Sequence, residues 1–140
     1  MSYHADQFPR KASDKVRYAD TDRQGHVNNA LFATFLETAR VEIFYNPEQP
    51  LAAPGAEFVI ARLALDFLGE IRWPGSVTTG TAVRKIGNSS VTLAQAIFQD
   101  DRCVAQAEVV AVQIDTETRT PRSLGQTARH LLDALRIRET

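Results

Sequence analysis

The residue types best suited to catalysis lie in one short polar segment, residues 20–29, with the sequence DTDRQGHVNN. Asp22 offers a carboxylate and His26 an imidazole, and both precede a segment with helical periodicity. The first turn of a helix has backbone N–H groups without intrahelical partners, and such groups can hold a developing oxyanion. Asp22 is therefore predicted to act in a catalytic site, with the structural alternative that it only caps a turn.

A helix is predicted directly after this segment. Asn28 or Asn29 is the expected N-cap, and Pro47 lies beyond the end of the helix. Glu37 falls on one flank, two turns beyond Asn29, where Arg40 is an available ion-pair partner. The apolar residues recur at helical spacing and form one stripe, which consists of Phe32, Phe35, Leu36, Ala39 and Ile43.

The rest of the chain has the pattern of a sheet. Alternation of period two across Val59–Phe67 predicts a strand with one fully buried face, and Gly87-Asn88 suits a two-residue hairpin. Because the helix stripe needs an apolar face to pack against, we predict an α+β fold in which an antiparallel sheet wraps around a long central helix, as a single domain over residues 1–140. The other predicted elements are strands at Lys15–Ala19, Val77–Ile86, Ser90–Gln99 and Arg102–Asp115, and a closing helix at Gln126–Arg136.

Composition argues against several classes of function. The chain has 140 residues, 24% of them charged, and a net charge of −1, so nothing indicates nucleic-acid binding. Its one cysteine, Cys103, excludes an internal disulfide and a zinc site built from thiolates. No apolar run is long enough for a membrane span, and the polar first 15 residues lack a signal-peptide core. These features predict a cytoplasmic location, without a bound metal.

The segment D-T-D-x-x-G-H-V-N-N, followed by F-L-E-T-A-R, resembles the hotdog-fold acyl-CoA thioesterases of the 4-hydroxybenzoyl-CoA thioesterase type. The likeness extends to Leu65-Asp66-Phe67, to the hairpin at residues 86–90 and to Pro121-Arg122. It implies hydrolysis of a small or medium acyl-CoA to the free acid and CoA, without a cofactor. It also implies a homodimer or homotetramer whose sheets join edge to edge, with active sites at the subunit interface.

The resemblance also assigns roles to single residues. Asp22 takes the place of the catalytic carboxylate, and the backbone N–H of Asn29 takes that of the oxyanion donor. Whether Asp22 activates water as a general base or attacks the thioester directly stays open. Gly25 is expected to supply a backbone shape beside the acyl group, His26 a substrate contact or a proton for the leaving thiolate, and Glu37 a second carboxylate that orients water.

Substrate contacts are expected at two further places. Asn28 lies at the helix start, and Arg84, Lys85, Ser89 and Ser90 near the hairpin are candidates for the CoA phosphates, with a solvated strand edge as the alternative. Two other functions are compatible with the same fold. One is a hotdog dehydratase or hydratase, although the histidine motifs of those enzymes do not occur in this sequence. The other is a protein that binds acyl-CoA without catalysis.

Overall fold

The computed structural model describes residues 3–139, and residues 1, 2 and 140 lie outside the described part. Two short 3-10 turns, Ala5–Gln7 and Tyr18–Asp20, flank the first strand. The helices and strands, in chain order, are β1 (Arg10–Lys15), α1 (Ala30–Phe44), β2 (Ala56–Phe67), β3 (Ser76–Ile86), β4 (Ser90–Gln99), β5 (Arg102–Asp115) and α2 (Gln126–Asp133).

The strands form an antiparallel sheet in the order β1-β3-β4-β5-β2, and α1 packs on β1, β3 and β4. Every residue of the predicted apolar stripe is at most 6% exposed, because the stripe faces the sheet. The predicted α+β architecture, an antiparallel sheet around a central helix, is confirmed.

Two asparagines at the N-terminus of α1 differ in their contribution to capping. Asn29 occupies the N-cap position, but its backbone is already helical and its side chain makes no capping bond. The side-chain cap comes from Asn28, whose Oδ1 accepts the N–H of Ala30 at 3.0 Å. The predicted boundary is therefore confirmed, and the capping side chain lies one residue earlier than the N-cap position.

The strand β2 does not have the fully buried face that its alternation predicted. A bulge between Ile60 and Arg62 shifts its pairing with β5 by one residue, which changes the face on which later side chains lie. Beyond the bulge, Leu63 and Phe67 lie on the same side of the sheet as α1 but are 40% and 49% exposed. Because β2 is an edge strand and α1 packs mainly on β1, β3 and β4, the helix leaves both side chains partly exposed, although the ring of Phe67 contacts that of Phe32.

The prediction of a first strand at Lys15–Ala19 is wrong. The strand β1 covers Arg10–Lys15, and the chain then enters the 3-10 turn Tyr18–Asp20. The carboxylate of Asp20 accepts the backbone N–H of Arg17 at 2.9 Å, and this local bond competes with strand pairing.

Two predicted boundaries at the far end of the sheet also differ from the structure. The N–H of Gly87 donates to the carbonyl oxygen of Ser90 at 2.7 Å, so the two turn residues are Asn88 and Ser89, one position later than predicted. The helix α2 ends at Asp133, a few residues before its predicted end, because the following residues return to pair with β3.

Candidate active site

The segment between β1 and α1 folds into a tight loop around Asp22. The N–H of Asp22 donates to the carbonyl of His26 at 2.8 Å, and the N–H of Gly25 donates to the carbonyl of Asp22 at 3.2 Å. The side-chain Oδ1 of Asp22 accepts the N–H of Gln24 at 2.8 Å and that of His26 at 3.3 Å. Within residues 3–139, Oδ2 has no hydrogen-bond partner. One carboxylate oxygen therefore holds the loop while the other stays available.

The loop needs a glycine at position 25. Gly25 has a φ of +83°, which L side chains rarely adopt. No atom lies within 4 Å of the position that a Cβ would take, so backbone conformation and not space accounts for the glycine.

Asp20 ties the two ends of the loop together. Its carboxylate accepts hydrogen bonds from Arg17 Nη2 at 2.7 Å and Arg17 Nε at 3.1 Å, and its carbonyl accepts the N–H of Asn28 at 2.9 Å. The hydrogen bonds from Arg17 hold the pKa of the Asp20 carboxyl below its usual value. Since Asp20 is only 4% exposed, its role is to position the loop ends.

The loop packs against the segment that follows β2. The N–H of Val27 donates to the carbonyl of Ile71 at 2.9 Å. The Nε2 of His26 lies 3.1 Å from Oε2 of Glu70, and the same oxygen lies 3.5 Å from Nη2 of Arg72. The Glu70 carboxylate thus joins the imidazole of the loop to the guanidinium of its own segment.

A pocket of about 350 Å³ opens between the loop, the start of α1 and the segment after β2. Asp22 and Asn29 line this pocket together, along with His26 and Asn28. Phe32 forms part of its wall, and the ring centroid of Phe32 lies 5.0 Å from that of Phe67. The pocket therefore lies beside the end of the edge strand β2.

The backbone amide of Asn29 is a free donor among the pocket residues. The neighbouring N–H groups of Asn28, Ala30 and Leu31 all have acceptors, whereas that of Asn29 has none among residues 3–139. A free amide at a helix N-terminus attracts negative charge. The residue that carries this free donor and the residue that carries the available carboxylate oxygen thus line the same pocket.

Glu37 does not line the pocket. It is exposed on α1, about 12 Å along the helix axis from Asn29 at 1.5 Å per residue. Burial lowers the pKa of the Arg40 guanidinium, and the negative charge of Glu37 acts against that shift. Arg40 donates to Oε1 of Gln95 at 3.1 Å, and no ion pair within 4 Å joins it to Glu37.

Within the same chain, the predicted phosphate contacts lie near the end of the sheet opposite to the Asp22 pocket. The segment after β2 leads into β3 at Ser76, whereas these residues lie near and beyond the other end of β3, roughly 25–30 Å away at about 3.3 Å per residue. The guanidinium of Arg84 is also engaged, since it donates to the hydroxyl of Tyr3. The residues concerned are Arg84, Lys85, Ser89 and Ser90.

The sequence analysis missed Glu70 and Gly69, which line the pocket. They follow β2 in a short connection with no periodicity, and only the packing of two distant segments brings them beside His26. Phe32 was predicted as a core residue, and it is both buried and part of the pocket wall.

A larger open cavity of about 730 Å³ lies between α2 and the end of β3. The arginine side chains that line this cavity make hydrogen bonds that stabilise this part of the fold. Arg129 Nη2 donates to the carbonyls of Gly87 and Asn88 at 2.9 and 3.1 Å, and Arg136 Nε donates to Asp133 at 2.7 Å. We therefore place the candidate active site at the pocket beside Asp22.

The sheet order, the central helix and the polar loop before it define a class of protein. The chain belongs to the thioesterase-like superfamily, whose family model matches residues 16–135. The match includes the Asp22 loop, α1 and all strands except β1. The resemblance to a hotdog-fold thioesterase is confirmed.

Individual relatives give the same result. The chain is 27% identical over 114 residues to the acyl-CoA thioester hydrolase YbgC of Escherichia coli, covering 79% of this chain and 85% of YbgC. A predicted thioesterase from Bacillus stearothermophilus superposes with a TM-score of 0.84 and 26% identity, covering 94% of this chain and 98% of that one. A thioesterase from Thermus thermophilus, complexed with coenzyme A and Zn, superposes with a TM-score of 0.78 and 29% identity, covering 91% and 94%.

Two kinds of feature are absent from residues 3–139. No helix there is both long and apolar enough to cross a membrane. No group of three or more His, Cys, Asp or Glu side chains is arranged to hold a metal ion.

Proposed function

We propose that this protein hydrolyses acyl-CoA thioesters to the free acid and CoA. The observation that carries the proposal is that one pocket is lined both by Asp22, which has an available carboxylate oxygen, and by Asn29, which has a free backbone N–H. The first supplies a base or nucleophile and the second an oxyanion donor. The similarity to YbgC and to a thioesterase that binds coenzyme A supports CoA as the carrier.

Two routes use these groups. In the first, Asp22 takes a proton from water while the water oxygen attacks the thioester carbonyl carbon, and the C–S bond then breaks to release the free acid and the CoA thiolate. In the second, Asp22 attacks that carbon, CoA leaves as the thiolate, and water hydrolyses the resulting mixed anhydride. In both routes the carbonyl oxygen becomes an oxyanion that accepts the N–H of Asn29, an interaction worth about 3–4 kcal/mol.

His26 is the proposed proton donor to the leaving thiolate, and its contact with Glu70 holds the imidazole ring at the pocket wall. Asn28 is a proposed substrate contact at the same wall, and Gly25 shapes the loop. The volume of about 350 Å³ is at the small end of ligand pockets, which supports a small or medium acyl group. A contact from Glu37 to water or substrate would require a ligand that extends along α1.

The proposed assembly is a dimer joined through β2, as the family resemblance implies. This edge strand exposes Ile60, Leu63 and Phe67, and exposed apolar edges favour pairing with another chain. A second copy related by a two-fold axis would pair with β2 in the antiparallel sense. Because Phe67 contacts the pocket residue Phe32, the active site would then lie at the subunit boundary. Two such dimers would form a tetramer.

This arrangement also gives the hairpin residues a role. In an antiparallel β2 pair, the beginning of one β2 lies beside the end of the other. The beginning of β2 and the β3–β4 hairpin share one end of the sheet, since Gln113 of β5 donates to Ser89 at 2.8 Å. The hairpin of a second copy would therefore lie toward this pocket, and we propose its residues Arg84, Lys85, Ser89 and Ser90 as contacts for the CoA diphosphate.

The direct test is a panel of acyl-CoA thioesters of increasing chain length, with released thiol measured by a thiol reagent. We expect turnover of CoA thioesters with small or medium acyl groups. The matched oxygen esters should not be hydrolysed at comparable rates. Tight CoA binding with no thiol release from any substrate would instead favour the non-catalytic alternative. Water addition to an enoyl-CoA without thiol release would favour the hydratase. CoA thioesters are cytoplasmic metabolites, so the proposed substrate also supports the predicted cytoplasmic location.

A further inference from the structure

We propose that Tyr18 and Trp73 form the binding site for the adenine ring of CoA, an inference that rests on the proposed function. Their rings lie edge to face with centroids 5.1 Å apart. Tyr18 is 73% exposed and Trp73 is 45% exposed. Aromatic rings left open to solvent provide flat apolar surfaces on which a nucleic base can stack.

This aromatic pair is attached to the rim of the active-site pocket. Tyr18 precedes Asp22 by four residues, so their Cα atoms are at most about 14 Å apart. Trp73 directly follows Arg72, whose backbone pairs with that of His26 in an isolated bridge. The flexible pantetheine arm of CoA connects the thioester to the nucleotide, so a thioester at Asp22 places the nucleotide near this rim.

An arginine precedes each ring of the pair in the sequence. Arg17 and Arg72 are the immediate neighbours of Tyr18 and Trp73, and their side chains are 71% and 69% exposed. Each is held by one nearby carboxylate, which fixes the guanidinium but leaves N–H donors open to solvent. Arg23, in the loop itself, pairs with no carboxylate of residues 3–139. Guanidinium groups bind phosphate well, so aromatic rings flanked by arginines favour a phosphorylated nucleoside over a purely apolar ligand.

Tryptophan fluorescence tests the inference directly, because Trp73 is the only tryptophan of the chain. We expect saturable quenching by CoA and by adenosine 3′,5′-bisphosphate, and none by pantetheine. Tyr18→Ala and Arg72→Ala should each weaken binding of the bisphosphate, the former by about tenfold or more. Arg138→Ala, an exposed arginine at the other end of the chain, is the matched control and should leave that affinity unchanged.

Kinetics separate the two proposals. Trp73→Ala should raise KM for acyl-CoA by about tenfold relative to KM for the same acyl-pantetheine, with kcat retained. Equal effects on both substrates, or no quenching by CoA in an enzyme that hydrolyses acyl-CoA, would overturn the adenine site and leave the hydrolase intact. Quenching by CoA without hydrolysis of any thioester would overturn the hydrolase alone. If Trp73→Ala changed the oligomeric mass, or if it raised KM only for acyl groups attached to a carrier protein, a protein would cover these rings. Either result would overturn the inference.

Discussion

The Nε2 of His26 lies 3.1 Å from Oε2 of Glu70, so a loop residue before α1 contacts the segment that follows β2. This contact closes one wall of the pocket that contains Asp22. The same carboxylate approaches Arg72, next to the exposed Trp73. One acidic side chain therefore connects the proposed proton donor to the proposed nucleotide site.

Replacement of Glu70 by alanine should lower kcat by about 10- to 100-fold, because a loosely held imidazole is misplaced for proton transfer. Stability should change little, since exposed ion pairs contribute at most about 1 kcal/mol. Steady-state kinetics and thermal melts measure the two effects. Glu48→Ala, in an exposed loop, is the matched control, and equal losses of kcat in both variants would remove the special role of Glu70.

Asp22→Asn should reduce kcat by about 100- to 10,000-fold, because the amide is neither a base nor a nucleophile. The asparagine Oδ1 still accepts the N–H groups of Gln24 and His26, so the loop and the melting temperature should be retained. Thiol release and circular dichroism check both expectations. Asp101→Asn, in the β4–β5 turn, should keep normal turnover, and near-normal turnover of Asp22→Asn would remove this carboxylate from the mechanism.

Asp20 should make stability depend on pH in the acid range. Its folded-state pKa is lowered by the hydrogen bonds from Arg17, so its contribution is fully present above the unfolded pKa of about 3.9. That contribution is lost as the pH falls through the lower folded value. Urea unfolding of Asp20→Asn should show a deficit relative to the natural protein at pH 7 that shrinks toward pH 2. A deficit that does not vary with pH would contradict this assignment.

Leu36→Ala should destabilise the fold by about 2–5 kcal/mol, because this side chain is fully buried between α1 and the sheet. Val41→Ala on the same helix is 46% exposed and should cost about 0.5 kcal/mol or less. Chemical denaturation measures the difference. Similar losses for both variants would mean that a second chain buries the outer face of α1 as well.

Leu63→Glu should place a charge in the proposed dimer interface and shift the protein toward monomer. The kcat/KM of this variant should fall along with its oligomeric mass, because the pocket lies beside that interface. Light scattering and kinetics give the two readings. Ser13→Glu puts the same charge on the other edge strand, β1, and should change neither. A natural protein that is monomeric and fully active would contradict the dimer.

Short-range features of the fold were predictable from the sequence. The stripe of α1 follows from 3.6-residue spacing, and β4 and β5 begin and end where alternation and turn residues placed them. The turn residues Asp100 and Asp101 both have positive φ, a conformation that aspartate tolerates. Asp22 and Asn29 line one pocket because a tight turn and a helix start bring together residues that are close in the chain.

Tertiary structure decided what local periodicity does not encode. Alternation in β2 indicates an apolar face but not whether a helix covers it, and the bulge and edge position left Leu63 and Phe67 exposed. The position of Glu70 beside His26 and the contact of Tyr18 with Trp73 depend on how distant segments pack. Backbone sterics and side-chain period act over a few residues, whereas these contacts arise only when the whole sheet closes around the helix.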